Sequence, residues 1–289
     1  MTRDNHQDNW YKAAGLLAEA EALMITAGAG MGVDSGLPDF RGNDGFWRAY
    51  PPMKKLGLTF MEMANPQGFI VNPSLAWGFY GHRLNLYRRT IPHEGYRLLK
   101  QWGEVKPLGY FVFTSNVDGQ FQKAGLDPEC IEECHGTIHQ LQCIRPCSDA
   151  LWDADPVTVE VDETRFLAQP PLPACIHCQG LARPNILMFG DGCWNDAHAR
   201  RQGQRRHRWL EAVRSRKAKL VIIELGAGLA VPTVRQFSQA VARLPETHLL
   251  RINPRDVGIG ADNHLALPSG ALEGLLRLNS CAATSIGMP

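Results

Sequence analysis

The feature that most constrains the fold of this chain is a glycine-rich segment that directly follows an apolar run. Residues 22–26 read Ala-Leu-Met-Ile-Thr, a composition typical of a strand buried in a parallel sheet. Gly28 and Gly30 follow, and glycines at the carboxyl end of such a strand let the backbone turn tightly and approach a pyrophosphate. Val33 occupies the position of the third glycine in the usual dinucleotide spacing, so the glycines alone match that fingerprint incompletely.

Four further apolar runs have the character of buried strands and end in polar or small residues. They are residues 110–114, 220–225, 248–253 and 264–267. The spacing of apolar residues also predicts helices over 7–21 and from about 269 to 278. Strands that alternate with helices predict an α/β fold with a doubly wound parallel sheet. Ligands of such sheets bind at the carboxyl ends of the strands, where the polar residues collect.

Two segments do not fit this alternation of strands and helices. Residues 46–90 are mostly helical in pattern and rich in aromatic residues, while residues 138–188 carry two cysteine pairs and a polar middle that contains prolines. We interpret both as insertions that form a smaller helical and zinc-binding module. The larger nucleotide-binding domain then consists of residues 1–45, 91–137 and 189–289.

The cysteine pairs predict a structural metal site. Cys143 and Cys147 are separated by three residues, and Cys175 and Cys178 by two. Two short chelating turns can supply four thiolates, which is the closed tetrahedral set typical of structural zinc. A closed set leaves no open position for a substrate, so we expect Zn2+ to hold the module together and to take no part in the chemistry. Four incidental buried cysteines are the alternative.

The composition limits the partners and the compartment. The formal net charge of the 289 residues is +1, so we expect neither nucleic acid nor a membrane as a partner. No apolar run approaches the roughly 20 residues that a membrane span requires. The polar residues 1–9 lack a signal-peptide core, and paired cysteines in such a chain favour a reducing, cytoplasmic setting. The locally basic residues 200–208 are either a solvated helix face or a docking patch for an acidic partner.

The continuation of the glycine segment identifies a family. Residues 35–42, Ser-Gly-Leu-Pro-Asp-Phe-Arg-Gly, resemble the nucleotide-loop signature of the sirtuins, which are NAD-consuming protein deacylases. Further segments resemble sirtuin motifs in the same order along the chain, including the cysteine pairs; they are residues 114–125, 134–136, 189–191, 226–231 and 252–254. The resemblance spans about residues 10–279. It implies a Rossmann-like domain that binds NAD as co-substrate, and protein substrates that carry an acylated lysine.

The resemblance assigns three catalytic residues. Asn116 is expected to contact the ribose and water, and Asp118 to recognise nicotinamide. His135 matches the family's His-Gly motif, and an imidazole that titrates near neutral pH can accept a ribose hydroxyl proton as general base. The chain departs from the family pattern at three nearby positions, which are Ser115, Gln120 and Phe121.

The resemblance also implies the residues that bind the cofactor and the substrate peptide. The cofactor residues are Gly28, Ala29, Gly30, Asp39, Phe40, Arg41, Ser115, Asn116, Asp118, Gly226, Ala227, Gly228 and Asn253. In residues 226–231 the hydroxyls of the family motif are missing, so backbone N–H groups would contact NAD there. Phe189 and Gly190 are expected to pair with an extended substrate peptide by strand addition.

A further resemblance concerns the acyl group. Residues 63–83 look like the acyl-pocket region of desuccinylase and demalonylase sirtuins, in which Ala64, Tyr80 and Arg83 match the family's pocket residues. Tyr80 and Arg83 are three residues apart and share a helix face, so a guanidinium and a hydroxyl could hold one carboxylate. The alternative is that Tyr80 packs in the core while Arg83 extends to solvent.

Two other functions remain open from the sequence. The departures at Ser115, Gln120 and Phe121 also resemble the macrodomain-linked sirtuins that ADP-ribosylate proteins, so mono-ADP-ribosylation or NAD hydrolysis is the main rival. A non-catalytic NAD-sensing or zinc-scaffolded interaction protein would require decayed catalytic positions. Asn116, Asp118 and His135 are all present, which argues against it.

Overall fold

A computed structural model describes residues 4–39, 42–258 and 260–286. Its strands, in chain order, are β1 (Ala22–Ala27), β2 (Tyr110–Thr114), β3 (Ile131–Glu133), β4 (Gly136–Cys143), β5 (Trp152–Asp153), β6 (Val161–Asp162), β7 (Leu167–Ala168), β8 (Ala182–Ile186), β9 (Leu220–Leu225), β10 (Thr247–Ile252) and β11 (His264–Leu267).

The described helices follow the same order along the chain. They are α1 (Asp4–Glu19), α2 (Gly42–Ala49), α3 (Pro51–Lys55), α4 (Phe60–Met63), α5 (Gln67–Val71), α6 (Pro73–Arg89), α7 (Glu94–Glu104), α8 (Gln120–Lys123), α9 (Ala197–Ser215), α10 (Thr233–Val241) and α11 (Ala271–Ile286). Two 3₁₀ turns cover Ala29–Ser35 and Pro128–Cys130. None of the helices in the described ranges is long and apolar enough to cross a membrane.

The main sheet has six parallel strands in the order β11-β10-β9-β1-β2-β3. Helices cover both of its faces. Trp10, Leu99 and Leu275, from α1, α7 and α11, lie in the core on one face. Val213 and Val234, from α9 and α10, lie in the core on the other. The prediction of a doubly wound parallel sheet is therefore confirmed, with β3 as an additional edge strand.

A third core lies outside the main sheet. Tyr50, Trp77 and Phe79 from the α2–α6 region pack with Leu141 and Ile186 from a small antiparallel sheet of order β5-β4-β8. This core draws on both insertions recognised in the sequence, and their bounds, 46–90 and 138–188, stay a prediction.

The small sheet links the cysteine pairs to the main sheet. In the antiparallel pair of β4 and β8, Cys143 lies opposite Ala182 and Gly136 lies opposite Ile186. Gly136 directly follows His135, so this pair of strands begins beside the predicted catalytic histidine and ends at the cysteines.

Candidate functional site

A cavity of about 710 Å³ opens at the carboxyl ends of β1, β2 and β9. Most of the residues singled out in the sequence line it: Gly28, Ala29, Gly30, Asp39, Ala64, Tyr80, Arg83, Ser115, Asn116, Asp118, His135, Phe189, Gly190, Gly226, Ala227 and Gly228. Asn253 does not belong to this lining. Phe40 and Arg41 lie outside the described residues, so their roles stay predictions.

Two glycine loops form the floor of the cavity and pack backbone against backbone. A Cβ atom on Gly28 would lie 2.9 Å from the Cα of Ala227, and one on Gly226 would lie 2.4 Å from the carbonyl carbon of Gly30. Gly226 also has a φ of +58°, which side chains rarely tolerate. Only glycine fits at these positions, and the lining there is main chain, as the approach of a pyrophosphate requires.

Asn116 ties the end of β2 to the first glycine loop. Its backbone N–H donates to the Thr114 hydroxyl at 3.0 Å, and its side-chain amide donates to the Gly28 carbonyl at 3.1 Å. Asn116 is buried, and the bond to the Gly28 carbonyl holds its side-chain amide at the cavity wall. The remaining amide oxygen can therefore meet a ligand in a defined direction.

Asp118 is a buried carboxyl group two residues further along the same loop. Its Oδ1 accepts a hydrogen bond from the Gln120 N–H at 3.0 Å, and His139 Nε2 lies 3.0 Å from its backbone oxygen. Burial raises the pKa of Asp118 to about 6, although its contact with the Gln120 N–H and the nearby Arg83 charge oppose the shift. The carboxylate form therefore predominates at neutral pH.

His135 lies in the cavity wall between β3 and β4. Burial lowers the pKa of its imidazole below the usual value of 6.5, so the ring is neutral at pH 7 and can accept a proton. Its backbone carbonyl accepts a hydrogen bond from the Leu187 N–H at 2.9 Å. The main chain of the predicted base is thus attached to the segment that leads to Phe189 and Gly190.

Asn253 supports the second glycine loop from behind. It is fully buried, and its side-chain amide donates to the Ala227 carbonyl at 2.9 Å. Arg235 Nε donates to the same carbonyl at 3.2 Å. The structure therefore gives Asn253 a contact with the loop, while Gly226, Ala227 and Gly228 form the surface of the cavity.

Tyr80 and Arg83 lie together at the end of the cavity formed by α6. Tyr80 is fully buried, and its hydroxyl has no hydrogen-bond partner among the described residues. Arg83 is only 6% exposed, so it does not extend to solvent, which contradicts that part of the alternative; Tyr80 does pack in a core cluster, as the alternative expected. Its Cζ lies between 5.2 and 5.6 Å from the ring centroids of Phe79, Tyr80 and Tyr87. These rings stabilise a desolvated cation.

Tyr87 was not recognised in the sequence and also lines the cavity. Its hydroxyl accepts a hydrogen bond from Arg83 Nε at 3.0 Å, so it orients the guanidinium. The available signal was spacing, since Tyr80, Arg83 and Tyr87 recur on one face of a helix at i, i+3 and i+7.

The wall formed by residues 187–190 is held by a buried ion pair. The Phe189 N–H donates to the Ala64 carbonyl at 2.8 Å. Arg183 and Asp191 have fully buried side chains whose charged groups approach to 2.7 Å, and the Asp191 carboxylate also accepts from the Met188 N–H at 3.3 Å. The bond from Phe189 to Ala64 and the contacts of Asp191 fix the backbone around Phe189 and Gly190, which the sequence predicts to pair with a peptide.

The four predicted cysteines form one cluster. The sulfur atoms of Cys143, Cys147, Cys175 and Cys178 all lie within 4.8 Å of one another. Cys143 and Cys178 sulfurs are 3.7 Å apart, and Cys147 and Cys175 sulfurs are 3.6 Å apart. Zinc–sulfur bonds of about 2.3 Å in a tetrahedron place sulfur atoms roughly 3.8 Å apart. The cluster therefore fits a structural zinc ion.

Comparisons with known proteins identify the family. A model of the Sir2 family matches residues 28–210. The chain is 29% identical over 248 residues to an NAD-dependent protein deacylase of Aquifex aeolicus, covering 84% of this chain and 88% of the relative. It is 30% identical over 242 residues to NAD-dependent protein deacylase 2 of Pyrobaculum aerophilum, covering 82% and 83%. The chain belongs to the Sir2 family, as its motifs predicted.

Solved structures agree on the fold. A complex of a mutant Sir2 homologue with ADP ribose aligns with a TM-score of 0.70 at 23% identity, covering 96% of this chain and 98% of that one. A Sir2 homologue in complex with NAD aligns with a TM-score of 0.67 at 22% identity, covering 96% and 94%.

Proposed function

We propose that this protein is an NAD-dependent protein lysine deacylase. The observation that carries the proposal is the convergence of Asn116, Asp118 and His135 on one cavity whose floor is two glycine loops. The relatives named NAD-dependent protein deacylase match more than four-fifths of the chain and support the same activity.

The residues have distinct roles in this proposal. The glycine loops bind NAD through main-chain groups, Asn116 contacts its ribose and Asp118 its nicotinamide. NAD supplies the ribose that accepts the acyl group, and nicotinamide leaves. His135 is neutral and removes a proton from a ribose hydroxyl, a step typically worth about 10²–10⁴ in rate. The carbonyl groups of residues 187–190 hold the substrate peptide by strand addition, because the N–H groups of Leu187, Met188 and Phe189 already donate within the chain.

We also propose that the preferred acyl groups carry a carboxylate, as succinyl and malonyl do. The support comes from the chemistry at the end of the cavity. Burial raises the pKa of Tyr80 to about 12, so its hydroxyl stays protonated and can donate. Beside it, the buried Arg83 supplies a positive charge in low-dielectric surroundings. The small Ala64 leaves room for the chain of the acyl group.

An acyl-panel assay tests the function. Peptides with acetyl-, succinyl- or malonyl-lysine are incubated with and without NAD, and products are identified by mass spectrometry. We expect NAD-dependent conversion of the acyl-lysine to unmodified lysine within the peptide, with formation of nicotinamide and acylated ADP-ribose. Cleavage without NAD, or no cleavage of any peptide, contradicts deacylation. Transfer of label from NAD to protein, independent of peptide acylation, would favour ADP-ribosylation instead.

The substitution Arg83→Met tests the acyl preference. It keeps an unbranched side chain along most of the same path and removes the charge that would bind the acyl carboxylate. We expect desuccinylation to fall at least about tenfold in kcat/KM, about 1.4 kcal/mol, while deacetylation is retained or improved. The measurement is kcat/KM for matched succinyl and acetyl peptides.

Two further variants distinguish acyl recognition by Arg83 from a structural role. Tyr87→Phe removes the hydroxyl that orients Arg83, so we expect a smaller loss with the same selectivity for the succinyl peptide. Arg89→Met is the matched control, because Arg89 is exposed at the end of the same helix. Equal losses on both peptides would mean that Arg83 supports the fold and does not recognise the acyl group.

A further inference from the structure

His93 holds the first glycine loop and does not belong to the described lining of the cavity. The residue precedes α7, and its backbone N–H donates to the Ser35 hydroxyl at 2.9 Å. Its ring Nε2 lies 2.9 Å from the Met31 carbonyl oxygen. Met31 and Ser35 belong to the 3₁₀ turn that continues from Gly28, so one residue contacts the turn at two points.

The hydrogen bonds define the tautomer of His93. Nδ1 accepts from the Gly95 N–H at 3.0 Å, which makes His93 the side-chain cap of α7. The proton of the neutral ring is therefore on Nε2, which donates to Met31. Burial lowers the pKa of His93, although the Met31 carbonyl and the Asp34 carboxylate oppose the shift. The ring of Tyr96, with its centroid 4.8 Å away, covers one side of the imidazole.

The same turn has a second attachment. The Asp34 carboxylate accepts from the Leu272 N–H at 2.9 Å, at the beginning of α11. The turn is thus held by α7 at Met31 and Ser35 and by α11 at Asp34. Its other end, Gly28 to Gly30, lines the cavity.

We propose that His93 is a positioning residue for NAD, which sets the shape of the first glycine loop without touching the dinucleotide. The proposal rests on the function proposed above. A loop that is already ordered loses less conformational freedom when a ligand binds, so bracing increases affinity. The residues proposed to bind the acyl peptide lie on other elements, namely α6 and residues 187–190. His93 should therefore affect the affinity for NAD and leave the affinity for the peptide unchanged.

The substitution His93→Asn separates this role from helix capping. Asparagine is a good N-cap residue and can accept from the Gly95 N–H, and the main-chain bond to Ser35 remains. Its side chain is too short to replace the Nε2 bond to Met31. We expect the Kd for NAD, measured by calorimetry, to rise about three- to tenfold, because NAD binding must then order a loop that the Met31 bond no longer holds. The melting temperature of the ligand-free protein should fall by no more than about 4 °C, which corresponds to the loss of one hydrogen bond.

Kinetics and a control complete the test. In His93→Asn we expect KM for NAD to rise, while kcat at saturating NAD and KM for the acyl peptide stay within about twofold. His207→Asn is the control, because His207 is exposed on α9. An unchanged Kd for NAD, or a general loss of stability with weaker binding of both substrates, overturns the proposal. A wild-type protein that binds NAD but cleaves no acyl peptide contradicts the proposed function and not the role of His93.

Discussion

We expect His135→Ala to lose at least about 100-fold in deacylation while nicotinamide exchange continues. In the proposed reaction the base is required after nicotinamide has left, when a ribose hydroxyl must lose its proton. The variant should therefore still incorporate labelled nicotinamide into NAD when an acyl peptide is present. The two rates are measured on the same preparation, by mass spectrometry of the peptide and by counting label in NAD.

Two results would contradict the role of His135. The first is deacylation at the wild-type rate, and the second is an equal loss of deacylation and exchange, which would indicate damage to the site as a whole. His207→Asn again serves as the control for a histidine substitution outside the cavity.

The pH dependence follows from the pKa of the same group. Burial lowers the pKa of His135 below 6.5, and only the neutral ring can accept a proton. The active fraction therefore falls as the pH drops through the lowered pKa, and protonation of Asp118, whose pKa is about 6, contributes to the same acid limb. We expect kcat/KM to be level from pH 7 to 8 with its acid limb below 6.5. An acid limb centred above pH 7 would contradict this assignment.

The main sheet was largely predictable because its strands are buried on both faces. Continuous apolar runs predicted β1, β2, β9 and β11 with little error in their bounds. β3 was not predicted, because a strand of three residues with two glutamates has no apolar pattern. Tertiary contacts stabilise these glutamates: Glu132 pairs with Arg206 of α9, and the Glu133 N–H donates to Gln202.

The basic residues of α9 also make contacts with residues distant in the sequence, which a sequence pattern does not reveal. Arg200 pairs with Asp196, Arg205 with Glu129 and Arg206 with Glu132. Two of these three cations, Arg205 and Arg206, pair with acids that are distant in the sequence, and both attach α9 to the edge of the main sheet. Composition alone does not distinguish this arrangement from a free basic surface.

Two departures from the family pattern have a packing explanation. Gln120 and Phe121 are each 1% exposed and do not belong to the described lining of the cavity. The Gln120 amide donates to the Tyr87 carbonyl at 3.2 Å, and Phe121 packs against Tyr96 with centroids 4.9 Å apart. Ser115 does line the cavity, so of the three departures it alone could contact a bound ligand.

The sequence predicted those residues of the candidate site that are proposed to contact a ligand themselves. Residues that act through a neighbour were harder to recognise. Tyr87 orients Arg83, Asn253 holds Ala227 and His93 braces Met31, and these contacts depend on the packing of separate elements. The resemblance named Asn253 without this contact, and helix spacing was a signal for Tyr87, but nothing in the sequence pairs His93 with Met31.

The substitution Cys175→Ala should have the largest effect on stability. Cys175 is fully buried within the four-sulfur cluster, and three remaining thiolates form an incomplete tetrahedral site. Structural zinc contributes roughly 10–16 kcal/mol in zinc-finger peptides, which is comparable with the whole stability of about 5–15 kcal/mol of a domain. We expect zinc content, melting temperature and deacylation to fall together.

The loss of activity would result from the loss of folded structure and not from the loss of a catalytic metal. The cluster fits a closed site with no open position for a substrate. The cysteines lie at one end of the paired strands β4 and β8, while the other end lies beside His135 and residues 187–190, roughly 20 Å away. Without zinc this pair of strands loses its anchor, and both walls of the cavity lose their support. Cys193→Ala is the matched control, because Cys193 is exposed and outside the cluster. A Cys175→Ala protein that contains no zinc but is stable and fully active would show that the cysteines do not form a structural zinc site.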